Sequence, residues 1–322
     1  MVARSQSVAD DPIAAEAAED VLLSGGSALG AVAAGFLAAA GAHSGVFLSP
    51  VTLLAAGGGI GARAFDGRCR QPGLGTKRPR GFKEGDAIPD AALVAVPAAL
   101  TAVMVALAYD EQAKPSRLVR SAIRRARDSG AEGRAELMER VRAVGAGAIT
   151  ESTFVRALLH AASESAGGVL TSTDLRSIAD VDVAATTIAT DAGRFVIAPW
   201  AMETEGGGVS EALGIGQSVC AVDVRGLVAA LAYRRVLGGV PVDALEVEAP
   251  PVAVPVLRGV SRVAPGKPLF SPAPIAIRVD DAGLPLEVLA ASSAPSPTPA
   301  ALAQAKLRIT WDAERRRAEV PR

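Results

Sequence analysis

Aromatic residues make up only 3 % of the 322 positions, so any core must be built from Ala, Val, Leu and Ile. Side chains that small suit closely spaced layers of sheet and helix better than bulky packing around a cofactor. Two cysteines, Cys69 and Cys220, exclude a disulfide framework and a cysteine zinc site. His43 and His160 are the sole histidines, which leaves no ligand set for a histidine metal centre, so neither metal nor cofactor is expected. Neither sign of charge is in excess, with 33 Lys and Arg against 34 Asp and Glu, and this balance excludes a nucleic-acid binder. The basic runs at 120–127 and 315–317 read as solvated helix faces. The Ala/Gly-rich stretch 28–42 falls short of the roughly 20 apolar residues a membrane span needs, so it reads as a buried helix. No apolar h-region follows the first residues, and a cytoplasmic protein without membrane attachment is expected.

What is present is a half-apolar chain whose texture changes midway. Apolar periodicity predicts helices over 11–23 and 28–40, the second capped by Ser27. Residues 45–56 read as a buried strand, 60–65 as its hairpin partner, and Asp66-Gly67 as a turn. The glycine-, proline- and arginine-rich stretch 68–89 is a long loop, the kind that more often binds something than merely connects. Beyond Pro97, helices are expected over 116–128, 132–144 and 150–165, forming an outer layer. After Asp180 come short apolar runs at 181–188, 194–198, 218–223, 227–233, 274–279 and 286–290, which read as strands. A Ser/Pro-rich segment at 292–299, a short helix and a last strand at 307–311 follow. Helix-rich 1–180 and strand-rich 181–322 fit two domains, or one layered domain in which helices cover a pair of sheets.

Eight strings, in order, narrow the reading. Leu22-Leu23-Ser24-Gly25-Gly26-Ser27-Ala28 ends the first helix. Ala42-His43-Ser44-Gly45-Val46 precedes the glycine-rich strand. Asp66-Gly67-Arg68 is followed by Pro72, and Ala95-Val96-Pro97-Ala98 comes next. Gly167-Gly168-Val169-Leu170-Thr171-Ser172-Thr173-Asp174-Leu175 is the most specific of them. Arg194 to Gly208, then 218–226, then 268–285 complete the series. This order resembles the γ-glutamyltranspeptidases, in a shortened and divergent form.

The resemblance implies an α/β architecture, the layered αββα sandwich of N-terminal-nucleophile hydrolases, with a truncated helical region and one domain over 1–322. It also implies self-cleavage that exposes a catalytic threonine, an oxyanion hole of two backbone N–H groups, and an arginine for a substrate carboxylate. Arg68 stands at the carboxylate position, where a planar guanidinium pairs bidentately as Lys does not. A local role for Arg68, satisfying loop carbonyls or Asp66, is the competing reading. Aligned on Asp223, the threonine position is Gly216, which has no nucleophile. The paired serines become Phe270-Ser271, and the oxyanion glycines fall near Ala294-Pro295, where proline has no N–H to donate. The helical segment that precedes the threonine in the family is also missing. Self-processing and conventional γ-glutamyl transfer are therefore not expected.

Candidate substitute nucleophiles are Ser218 and Cys220 on the strand of Gly216, Thr186-Thr187, and Ser271. His43 with Ser44 is a candidate acid–base or nucleophilic pair, whereas His160 reads as a surface residue and Cys220 as inert core. The glycine-rich basic loop 71–82 follows no strand-to-helix pattern, so it is no phosphate loop; it is a binding loop for an acidic small molecule or a surface contact. The first expectation is an unprocessed, single-chain binding or partner subunit with a residual carboxylate pocket at Arg68. The second is an enzyme with rebuilt chemistry, a hydrolase or lyase acting on a carboxylate-bearing or γ-glutamyl small molecule. A structural subunit of a homo- or hetero-oligomer is the third.

Overall fold

The computed structural model describes residues 4–77, 81–202, 214–269, 272, 274–291 and 304–321. The chain begins with β1 (Gln6–Ala9), α1 (Pro12–Leu23), α2 (Ala28–Ala42), β2 (Val51–Ala56) and β3 (Arg63–Gly67). Helices α3 (Ala99–Leu107), α4 (Pro115–Leu118), α5 (Arg120–Asp128), α6 (Glu132–Val144), α7 (Ser152–Ala162) and α8 (Ser172–Arg176) follow. The rest is strand: β4 (Asp182–Ala184), β5 (Thr186–Thr190), β6 (Gly193–Ile197), β7 (Ile215–Val222), β8 (Val228–Arg235), β9 (Val240–Val242) and β10 (Val247–Ala249). The last four are β11 (Ile275–Val279), β12 (Pro285–Ala290), β13 (Leu307–Asp312) and β14 (Arg317–Glu319).

Side-chain caps start the first two helices, at Ser27 as expected and at Asp11 as well. The Asp11 carboxylate accepts from the Ile13 N–H and the Ser27 hydroxyl from Gly30 N–H, replacing acceptors that a helix start lacks. Every α2 residue from Ala28 to Gly41 is buried. Two of its glycines mark close approaches: a Cβ at Gly41 would lie 2.2 Å from the Ala122 carbonyl oxygen of α5, and one at Gly35 2.9 Å from that of Ala14 in α1. The expected buried helix is therefore the hub of the helical layer. No helix among the described residues is long and apolar enough to cross a membrane.

Two six-stranded antiparallel sheets stack face to face. The first has the order β1-β7-β8-β2-β3-β4, so strands from both halves of the chain share it; the second runs β14-β13-β12-β11-β6-β5. Helices α1, α2 and α3 cover the outer face of the first sheet, with α5 packed on α2, in a core containing Phe36, Leu37, Leu53 and Tyr233. Leu54, Ala230, Cys220, Ile277, Val288, Ile309 and Trp311 fill the space between the sheets. The outer face of the second sheet carries Phe195, Ile197 and Leu289 beside a buried Glu287 that pairs with Arg278 and Arg308. Among the described residues no helix forms a layer over it.

Several boundaries move. The strand expected over 45–56 begins only at Val51, because Pro50 has no N–H for a ladder and residues 44–49 form turns. Asp66-Gly67, read as a turn, is the end of β3, with Asp66 opposite Thr52 and Gly67 opposite Val51. The real turn is the glycine run before it, where Gly57, Gly58, Gly59 and Gly61 all have positive φ. The short helix expected before 307 lies mostly outside the described residues.

Candidate functional site

Strand alternation sorts each residue of the first sheet to one face. Cys220, Ala230, Leu54 and Ala64 point between the sheets, so Ser218, Ala232, Thr52 and Asp66, two residues along each strand, point there too. These four are paired in one row: Ser218 opposite Ala232, Ala232 opposite Thr52, Thr52 opposite Asp66. The next row outward holds Gly216 opposite Arg234. Position 216 thus lies on the inter-sheet face at the end of the sandwich, and its strand partner is an arginine. Arg234 reaches along the sheet end and donates from Nη1 to the Gly214 carbonyl at 3.0 Å.

Arg68 follows β3 at the same end. Its guanidinium stacks 4.7 Å above the ring of Trp200, whose Nε1 donates to Thr52 Oγ1 at 3.3 Å. Trp200 belongs to the short 3-10 turn Pro199–Met202 after β6, so it ties the second sheet to the first under the arginine. Asp66 accepts from Arg68 Nε and Nη2, both at 3.0 Å, and from the Arg68 N–H. Arg70 Nη2 lies 3.2 Å from the same carboxylate, and its Nη1 donates to the Arg68 carbonyl. Two buried arginines therefore share one buried carboxylate. Cys69 between them is fully buried, its thiol pushed up to about 12 chiefly by desolvation, so it stays protonated and inert.

The string 171–174, the most specific in the sequence, has a positional role. Thr171 and Asp174 form a capping box at α8. The buried Asp174 carboxylate also accepts from Gly73 N–H and Leu74 N–H at 2.8–3.0 Å, and Thr171 Oγ1 donates to the Leu74 carbonyl. Gln71 is fixed by paired bonds to the Val254 backbone, both 2.9 Å. The loop carrying Arg68 and Arg70 is clamped on two sides. Sequence reasoning missed Arg70, Thr52, Trp200 and Arg234; the Thr-x-x-Asp spacing was the readable signal for the clamp.

The other candidates separate. Tyr233 packs edge-on against Phe36 of α2, with centroids 5.7 Å apart, so it faces the helices. Its pair partner Gln217 shares that face, and His43, which ends α2, lies on it too. His43 and position 216 are on opposite faces of the sheet. His43 Nε2 lies 3.1 Å from Asp11 Oδ2, while Ser44 Oγ donates to Glu248 Oε1 at 2.7 Å. The two neighbours thus engage different carboxylates. Burial works to raise the Asp11 pKa, but the bonds from His43 and the Ile13 amide outweigh it and leave the group below its ordinary value. Ser218 Oγ is buried without a hydrogen-bond partner among the described residues. Cys220, two residues on, is fully buried and its thiol is driven well up by desolvation. His160 is exposed, and Thr186-Thr187 lies exposed in edge strand β5. Ser271, Phe270, Gly206–208 and Ala294-Pro295 lie outside the described residues. Among those described, no group of three or more His, Cys, Asp or Glu is arranged to hold a metal.

The sequence matches no family model and no curated protein. Among solved structures it is similar to cephalosporin acylase from Bacillus halodurans, with a TM-score of 0.69 at 13 % identity, over 89 % of this chain and 77 % of that one. The LmbA2991HD structure matches at TM-score 0.67 and 14 % identity, over 90 % of this chain and 78 % of the other. A γ-glutamyltranspeptidase from Pseudomonas nitroreducens matches at TM-score 0.50 and 18 % identity, over 60 % and 70 % respectively. The chain has the N-terminal-nucleophile hydrolase fold, and the resemblance read from its motifs extends to the architecture.

Proposed function

We propose that this protein is an unprocessed, γ-glutamyltranspeptidase-like binding protein that holds a carboxylate-bearing small molecule at Arg68. The observation that carries the reading is the pairing at the sheet end. Gly216 supplies no nucleophile on the inter-sheet face, while Arg68 is held between the sheets in a fixed plane by Trp200 and Asp66. Asp66 takes Nε and Nη2 of Arg68, which fixes the guanidinium plane that bidentate carboxylate recognition uses. Arg70 brings a second guanidinium to the same carboxylate, so two planar cations are held together at this sheet end. Without a hydroxyl at 216, binding is the function such a pocket retains.

A thermal-shift panel tests this with glutamate, butyrate and the uncharged amide of butyrate. Carboxylates raise the melting temperature and the amide does not; in Arg68→Lys, which keeps the charge and loses the fork, the shift falls to the level of the amide. Equal shifts from all three compounds, or an unchanged response in Arg68→Lys, overturn the reading.

Ser218 favours the alternative of rebuilt hydrolytic chemistry, since its unpartnered hydroxyl sits one step inward from 216 on the same face. Any base must come from that face, because His43 is on the other. Ester hydrolysis by the wild type that is lost in Ser218→Ala is the outcome that would establish this second reading.

A further inference from the structure

A groove of about 1080 Å³ runs between α1 and the α4–α5 segment on the outer surface of the helical layer. Ala17, Val21, Ala34 and Leu118 contribute apolar lining. Its two rims differ in sign. The rim formed by α4, α5 and the residues just before them presents Lys114, Arg117 and Arg120, all exposed and none in an ion pair among the described residues, against one exposed acid, Glu111. The α1 rim presents Asp20, and Glu19 precedes it on the helix outside the lining; both are exposed and without ion pairs among those residues. At one end the rims already meet within the chain, where Glu16 pairs with Arg125 at 2.6 Å and with Arg124 at 3.8 Å. Beside the open end, at the tip of α1, stands Leu23. It is 78 % exposed, more than any other large apolar side chain among the described residues.

We infer that this groove receives a second copy of the same chain, α1 of each copy docking along the groove of the other. Two-fold association requires one surface to be complementary to itself. A negative rim and a positive rim on either side of a groove meet that requirement. Rotation about the axis brings Glu19 and Asp20 of one copy onto Arg117 and Arg120 of the other, twice. Leu23 leaves water and enters the apolar groove between Val21 and Leu118 of its partner. An unrelated acidic partner would engage the basic rim but would leave Asp20 unanswered and Leu23 exposed. The inference is independent of the carboxylate site, which lies on the other side of the first sheet.

Sedimentation velocity at micromolar concentration tests it. Wild type sediments as a dimer, with a mass near twice 32.5 kDa. Leu23→Asp and Arg120→Glu each weaken the dimer about tenfold or more, because like charges or a buried carboxylate then face each other. Asp20→Arg combined with Arg120→Glu restores it, since the reversed rims attract again. Far-UV circular-dichroism spectra of all variants match wild type, as the substituted residues are exposed and the fold is kept. A monomeric wild type, or a dimer indifferent to both single substitutions, overturns the inference. A double variant that stays monomeric refutes the charge pairing on which the docking mode rests.

Discussion

The two faces of the first sheet are made from the same strands and could hardly differ more. On the helix side, β7, β8 and β2 present Val219, Leu231, Leu53 and Tyr233 to an α2 built almost wholly of Ala, Gly, Val and Leu. On the inter-sheet side the same strands present apolar residues along most of their length, then a polar row at one end: Ser218, Thr52 and Asp66, with Gly216 and Arg234 beyond. A dry sandwich gains nothing from buried hydroxyls and charges unless they are satisfied or used. The helix face is scaffold. The end of the inter-sheet face carries the polar side chains on which the proposed binding rests.

Substitutions on each face sharpen that contrast. The largest effect is expected on the scaffold side, where Phe36→Ala empties a fully buried position and costs about 3–5 kcal/mol in a urea titration. Its response to carboxylates, measured below its own melting temperature, stays that of wild type. Asp66→Asn comes next. It leaves Arg68 and Arg70 buried with their shared counter-charge removed, and about 3 kcal/mol of stability is lost. Unlike Phe36→Ala, this variant also alters the carboxylate response; an unaltered response would erase the distinction between the faces.

Asp174→Ala unfastens the loop behind the arginines. About 2 kcal/mol is expected from the lost cap and the unpaired Gly73 and Leu74 amides. Hydrogen exchange then rises in 71–77 and leaves α2 protected; uniform exchange would argue against a local clamp. The smallest effect belongs to His43→Ala, about 1 kcal/mol at neutral pH from one part-buried hydrogen bond. Asp11 is held below its ordinary value, so its contribution is present above about pH 4 and lost as pH falls through the depressed folded value. Acid titrations of stability should show a smaller loss in His43→Ala than in wild type. Identical acid limbs would mean that the pair does not set the Asp11 pKa.

Much of this architecture was legible in the chain. Helix starts at Asp11 and Ser27 follow from local side-chain chemistry, and strands after Asp180 follow from short apolar runs between turn residues. The end of β3 was not, because Asp66-Gly67 carries a turn signal that pairing with Thr52 and Val51 overrides. Gly216 was readable as a missing side chain by alignment on Asp223. Arg234 was not, since cross-strand neighbours come from register, and register is invisible until β7 and β8 pair. Arg68 shows both limits: its position was expected, yet its bidentate bond to Asp66 depends on backbone geometry that only the fold supplies.

The central claim is that glycine at 216 leaves this fold without its self-cleaving nucleophile. Intact-mass spectrometry of freshly purified protein tests it most directly. A single species near 32.5 kDa, unchanged on prolonged incubation, is the predicted result. Two fragments, the smaller one beginning at or near residue 216, would contradict it.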